Sequence, residues 1–213
     1  MALRRFGIIS ETDARQIEPG STVELEKGGH VTPLAQDTLR ERRVMVVPAG
    51  SVDPAIPADL APVFPVQRVA IGSDHTGVAL KTALIAQLRQ QGIAVNDLGT
   101  NSTEAVDYPD IAAAVAKSVT RRESDAGIVI DGAGLGSTIA ANKIRGARAT
   151  MCTTVTLARY AREHNGANVL ALGSTLIDTT EARAIVEMFL TTPTREPRYL
   201  RRLMKVRRLE ESF

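Results

Sequence analysis

From Val66 onward the chain alternates short apolar runs with segments of helical periodicity, and that alternation restricts the fold more than any other feature. Val69-Ala70-Ile71-Gly72, Ala94 to Gly99, Gly127 to Ile130, Ala147 to Cys152 and Val169 to Leu172 read as five strands. Gly77 to Gln91, Ile111 to Thr120, Ser137 to Lys143 and Val155 to His164 read as the helices between or beside them, with two more at Thr180 to Leu190 and Pro197 to Glu211. Apolar runs without polar interruption suit strands buried on both faces. Strands separated by helices specify parallel pairing through right-handed crossovers. The expected fold class is α/β, an open doubly wound parallel sheet of five strands. Ligands of such sheets gather beyond the carboxyl ends of the strands, so the residues that follow each strand carry the chemical reading.

Upstream the pattern changes. Residues 48–65 read PAGSVDPAIPADLAPVFP and hold five of the ten prolines. Proline fixes φ and removes amide donors, which makes this stretch an extended, semi-rigid linker. Residues 1–47 suggest a short helix at Glu11 to Gln16 and strands at Thr22 to Glu26 and Arg43 to Val47, with Gly28-Gly29 as a turn and a brief helix at Thr38 to Arg42. So short a region has a marginal core of its own, and it contains no catalytic constellation; His30 stands alone in it. The expected division is a small region of unassigned role at 1–47, the linker at 48–65 and the main domain at 66–213.

Composition removes several classes of function. Lys plus Arg at 26 against Asp plus Glu at 24 leaves +2, too little for a whole-chain grip on nucleic acid or an anionic membrane. Arg195 to Glu211 holds seven basic and three acidic residues, but its single aromatic, Tyr199, is no interleaved series for stacking bases, so nucleic-acid binding is not expected there. No apolar run reaches the roughly 18 to 20 residues of a membrane span. The first ten residues lack a secretory pattern, and a lone cysteine, Cys152, cannot close an internal disulfide, so a cytoplasmic setting is expected. Cys152 reads as a small buried filler.

Three strand ends hold polar groups suited to chemistry. Ser73-Asp74-His75-Thr76-Gly77 follows the first strand and places a carboxylate and an imidazole together; the plainer alternative is that Asp74 caps the next helix and His75 is a solvated neighbour. Asp131-Gly132-Ala133-Gly134-Leu135-Gly136-Ser137 follows the third, a glycine-rich loop whose amides and helix start suit an anion or a developing oxyanion. It is not a Walker loop, and it follows the wrong strand for a dinucleotide fingerprint. Arg162-Glu163-His164-Asn165 ends the fourth unit. Arg198 and Arg202, four apart, share one helix face and can grip one phosphate, unless that face is only a solvated basic one.

Together these residues resemble the type B ribose-5-phosphate isomerases and the galactose-6-phosphate isomerase subunits. The resemblance runs from about Val69 to Lys205 through Gly72 to Gly77, Asp107-Tyr108-Pro109-Asp110, the Gly132 to Gly136 loop, Ala140-Ala141-Asn142-Lys143, Arg162 to Asn165 and the terminal arginines. It implies a Rossmann-like domain in a homodimer or dimer of dimers, with active sites shared between subunits and neither a metal nor an organic cofactor. It implies interconversion of a phosphorylated aldose and ketose through an enediolate. Substrate contacts would fall to Asp74, His75 and Tyr108, and to the loop Gly132, Ala133, Gly134, Leu135 and Gly136. His164 and Asn165 would come from the other subunit, His164 for ring opening and Asn165 on the reacting oxygens, while Arg198 and Arg202 match the phosphate clamp.

Three departures bear on activity. Asp131 stands where many of these isomerases carry the cysteine that removes the carbon-bound proton, and a carboxylate is intrinsically a weaker base than a thiolate. Ala133 stands where many have threonine. Tyr199 and Leu200 replace a His-Gln pair between the terminal arginines. One galactose-6-phosphate isomerase subunit type also has aspartate after its third strand, and it works with a second chain. The leading expectation is an isomerase of ribose 5-phosphate or a related pentose or hexose phosphate with Asp131 as proton shuttle. The alternatives are a sugar-phosphate-binding or assembly protein without turnover, and a subunit active only with a paralogous chain.

Overall fold

A computed structural model describes residues 4–49, 57 and 60–212. The chain divides into two compact units, Met1–Pro57 and Ala58–Phe213. Much of the expected linker, 50–56 and 58–59, lies outside the described residues.

The first unit contains β1 (Arg5–Ile9), α1 (Glu11–Gln16), β2 (Thr22–Val31), α2 (Pro33–Glu41) and β3 (Met45–Pro48), with the strands parallel in the order β1-β2-β3. Ser10 and Asp13 form a reciprocal capping box that starts α1. Thr32 caps α2 and Pro33 occupies its first turn, so that helix begins five residues before the expected Thr38. Ile9, Ala14, Ile17, Val23, Ala35 and Leu39 form the core. The expected turn at Gly28-Gly29 is corrected: both glycines lie inside β2. Phe6 pairs with Leu25 but Ile8 with His30, so β2 carries surplus residues against β1 as a bulge. Gly29 is demanded there, because a Cβ on it would lie 2.5 Å from the Gly7 carbonyl oxygen.

The second unit holds β4 (Arg68–Ser73), a 3-10 turn (His75–Gly77), α3 (Val78–Gln90), β5 (Ala94–Asp97), α4 (Tyr108–Thr120), β6 (Ala126–Asp131), α5 (Leu135–Ala141), β7 (Ala149–Met151), α6 (Val155–Asn165), β8 (Val169–Gly173), α7 (Thr179–Thr191) and α8 (Pro197–Glu211). Its sheet is parallel throughout in the order β5-β4-β6-β8-β7. The central strands β4, β6 and β8 are buried almost end to end, as their apolar runs require, while β5 and β7 are short edges. One core, with Leu84, Leu88, Ile128, Ile130, Ala158, Ile185 and Phe189, lies on the face covered by α3, α6 and α7. The other, with Ala70, Ala112, Val115, Val129 and Ala141, lies under α4 and α5. The chain leaves β4 toward β5 and returns to β6 on the other side, so a crevice opens between the carboxyl ends of β4 and β6.

Buried cations tie loops to this sheet. Lys81 of α3 is 1% exposed and donates to Asp97 at 2.5 Å and Asn101 at 2.7 Å. Arg162 is fully buried and donates to the carbonyls of Val63, Ala167 and Thr192. Burial, and then the nearby Arg148, lowers its pKa to about 10. Arg148, itself lowered chiefly by burial, donates to the carbonyls of Gly166 and Leu60. The end of the expected linker is thus corrected: Leu60 is buried and the backbone of 60–63 is held by two desolvated guanidiniums, which no free spacer would be. Deleting residues 1–57 should therefore leave the melting temperature of the second unit within a few degrees, whereas deleting 1–65 removes acceptors from both arginines and should lower it by about 10 °C. Differential scanning calorimetry of the two truncations checks this; equal melting temperatures would refute it.

Candidate active site

β4 ends at Ser73, and the chain turns immediately. Asp74 donates its amide to the Ile130 carbonyl of β6 at 3.0 Å. Its Oδ1 accepts from the Thr76 amide at 2.9 Å and the Thr76 hydroxyl at 2.6 Å, capping the short 3-10 turn. The capping role weighed from sequence is therefore present, and it engages only one of the two carboxylate oxygens. Gly77 is required because a Cβ there would lie 2.6 Å from Ile130 Cγ2. His75 Nδ1 accepts from the Val106 amide at 3.4 Å, which assigns the ring proton of the neutral imidazole to Nε2.

β6 delivers Asp131, 5% exposed, to the same edge. Oδ1 accepts from the Ala133 amide at 2.9 Å and from the Gly134 amide, and Oδ2 accepts from the Ser137 amide at 2.9 Å. The carboxylate thus folds the glycine loop around itself. A carboxylate offers about four lone-pair positions; three are occupied and one, on Oδ2, is left. Gly134 sits at φ +75°, a conformation only glycine adopts without strain. The Leu135 and Gly136 amides open α5 and have no acceptor in a preceding turn. The loop after β8 braces the arrangement: the Ser174 amide donates to the Asp131 carbonyl, and both the amide and hydroxyl of Thr175 donate to the Gly132 carbonyl. Ser174 Oγ lies 3.4 Å from Thr76 Oγ1, joining this loop to Asp74. Tyr108, first residue of α4, lays its ring on Gly136, where an added Cβ would lie 2.5 Å from Tyr108 Cζ.

The second set of expected residues assembles elsewhere. α6 starts just past the carboxyl end of β7 and runs 11 residues, about 16 Å, back toward the start of β8, so its last turn lies at the amino edge of the sheet. His164 stacks on Tyr160 with ring centres 4.6 Å apart and meets Tyr199 of α8 at 4.4 Å. Asn165 donates to the Tyr160 carbonyl and is exposed. The guanidinium carbons of Arg198 and Arg202 lie 4.7 and 5.7 Å from the Tyr199 ring centre. Within one chain, then, Asp74, His75, Tyr108, Asp131 and Gly132 to Gly136 meet at one edge, whereas His164, Asn165, Arg198 and Arg202 meet at the other.

Sequence reasoning named Tyr199 only as a departure from the family pattern and missed Tyr160, Ser174 and Thr175. The four-residue spacing of Tyr160 and His164 signalled the first, and position just after β8 signalled the last two. Arg162, quoted in the same motif as His164, points into the core instead. Cys152 is buried, and burial raises its thiol pKa, in keeping with a filler. A separate cavity of about 660 Å³ opens at the amino edge beside Leu60, Arg145, Arg148, Asn168 and Glu210, and none of the expected site residues lines it. Among the described residues no helix is long and apolar enough to cross a membrane, and no three His, Cys, Asp or Glu side chains are grouped to hold a metal ion.

This geometry has close relatives. The chain is 39% identical to ribose-5-phosphate isomerase B of Escherichia coli over 145 residues, covering 68% of this chain and 97% of that protein. The structure of Clostridium thermocellum ribose-5-phosphate isomerase B superposes with a TM-score of 0.67 at 43% identity, covering 68% of this chain and 98% of that one. That of the Mycoplasma genitalium enzyme with bound ribulose-5-phosphate gives 0.67 at 38% identity, covering 68% and 97%. The family model for Ribose/Galactose Isomerase matches residues 69–206, which run from β4 into α8, and the chain belongs to that family.

Proposed function

We propose that this protein interconverts a phosphorylated aldose and its ketose, with ribose 5-phosphate and ribulose 5-phosphate or a related pentose or hexose phosphate as the pair, in a site completed by a second copy of the chain. The observation that supports this most is the convergence of Asp74, His75, Tyr108, Asp131 and the glycine loop at the β4/β6 crevice of a chain in this family. Asp74 and His75 Nε2 bind the sugar hydroxyls. His164 of the partner subunit opens the ring by moving a proton between the anomeric hydroxyl and the ring oxygen. Asp131 Oδ2 then takes the proton from C2, the electron pair becomes the C1–C2 double bond, and the carbonyl oxygen becomes the enediolate oxygen held by the Leu135 and Gly136 amides. Asn165 of the partner subunit steadies the two oxygens while the hydroxyl proton moves between them. Return of the carried proton to C1 gives the ketose, and Arg198 and Arg202 of the partner subunit hold the phosphate throughout.

The experiment is incubation with a panel of phosphorylated aldoses in deuterated water, read by NMR. Deuterium at C1 or C2 together with ketose supports the reading; neither product from any aldose sinks it. A second reading, sugar-phosphate binding without turnover, is favoured by the three loop amides that already draw on Asp131. Calorimetry alongside the assay identifies it as binding without exchange. A protein inert in both assays until a paralogous chain is added would mark an obligate second subunit.

A further inference from the structure

Tyr199 stands between two expected phosphate ligands and is 8% exposed as a residue, while the Arg198 side chain beside it is 60% exposed. Three functional side chains converge on that one ring. The His164 imidazole lies against it at 4.4 Å and is confined on its other side by Tyr160 at 4.6 Å. The Arg198 and Arg202 guanidinium carbons lie 4.7 and 5.7 Å from its centre, both within cation–π range. Arg198 Nη2 also donates to the Tyr199 hydroxyl at 2.9 Å. One turn further on, Leu203 packs where a Cβ on Gly166 would lie 2.5 Å from Leu203 Cδ1, so α8 docks on the end of α6 at close approach and the ring is held from below.

We infer that Tyr199 is a positioning residue: its ring holds His164, Arg198 and Arg202 as one preformed anion-recognition surface and thereby sets the affinity for the phosphate end of the substrate. The inference rests on the isomerase reading for the identity of that substrate. Two guanidiniums four residues apart on an exposed helix face repel each other and lose rotamer freedom when gathered onto one anion. An aromatic face attracts both cations before the anion arrives, so less of that ordering remains to be done on binding. The same ring, with Tyr160, restricts the imidazole to one plane, so affinity and orientation depend on a single buried side chain.

The test compares Tyr199→Leu, which removes the ring but keeps an apolar side chain, with Tyr199→Phe, which keeps the ring and removes the hydroxyl. Tyr199→Leu should raise the Kd for inorganic phosphate, measured by calorimetry, and the KM for the sugar phosphate by about tenfold each, with kcat lowered less than about threefold. The His164 ring-proton resonances, shielded by the flanking rings, should move downfield. Tyr199→Phe should recover most of the affinity. Tyr199→Met serves where the leucine variant fails to fold, since its flexible side chain fills irregular gaps. Unchanged phosphate affinity or an unmoved His164 resonance in a folded ring-less variant overturns the inference. So does a phenylalanine variant as impaired as the leucine one, or an unaltered protein that binds no phosphate. The isomerase reading fails separately, when the unaltered protein exchanges no sugar-phosphate proton, and the phosphate and resonance comparisons stand without it.

Discussion

Asp131→Asn is expected to lower kcat/KM for the sugar phosphate by about a thousandfold, the scale of a lost general base. The carboxylate is the one acid on the glycine loop, and in the proposed mechanism the vacant position on Oδ2 receives the carbon-bound proton. The substitution also tests a competing role. In asparagine one oxygen can still accept from the Ala133 and Gly134 amides, but the new amide group then presents a donor to the Ser137 amide inside a buried loop. A donor facing a donor costs about 1–3 kcal/mol, so the melting temperature should also fall by about 5 °C. The two effects separate by measuring binding. If Asp131 is the base, deuterium exchange collapses while inorganic phosphate binds as before, because the proposed phosphate clamp lies on α8, away from this loop. If Asp131 only shapes the loop, exchange should fall in proportion to sugar affinity. Full conversion by Asp131→Asn would remove the residue from the mechanism.

Much of this site is legible in the chain because its first half lies at strand ends, and strand ends follow from local apolar runs. Asp74 after β4 and Asp131 after β6 are found by counting. What a side chain does there depends on how the backbone turns back on it, which periodicity does not encode. The position of Asp131 was therefore readable, but its three amide bonds were not. Arg162 shows the same limit from the other side. A charged residue on a helix is normally solvated, and this one is buried because carbonyls from Val63, Ala167 and Thr192, three separate segments, converge on it. Tyr199 looked like a lost polar pair while α8 was read alone; only the docking of α8 on α6 turns it into the ring beneath two arginines. β1 escaped notice because Ile8 is 55% exposed and Ile9 fully buried, so its five residues give no clean alternation, and its partner strand lies about twenty residues away. The bulge at Gly28-Gly29 looks like a turn for a related reason: both features ask for glycine at positive φ or close backbone approach.

Two inactive proteins, mixed, should regain activity. Asp131→Asn and His164→Ala are each expected to retain about 1% or less of the parental rate. In one chain their positions lie at opposite edges of the sheet, separated by about the length of a central strand, roughly 16 Å for the five residues of β8. No hinge of α6 can close that gap, because Ala158 and Ala161 pack it into the core and Arg162 anchors its last turn. The proposed reaction, which uses both groups, therefore needs the β4/β6 edge of one subunit and the α6/α8 surface of another. In a two-fold symmetric pair each subunit lends its surface to the other's crevice. A mixed pair of the two variants then holds one site with both substitutions and one with neither. Co-expressed in equal amounts with random pairing, half the pairs are mixed and half of their sites intact, so about a quarter of the parental activity should return. Purification on two different tags isolates the mixed pair, which should reach about half. A mixed pair no more active than either variant alone would place His164 outside the site that Asp131 serves. The reaction would then have to be completed by groups at the carboxyl edge of a single chain, where, among the described residues of the second unit, His75 is the imidazole that the β4/β6 crevice places on the same edge as Asp131.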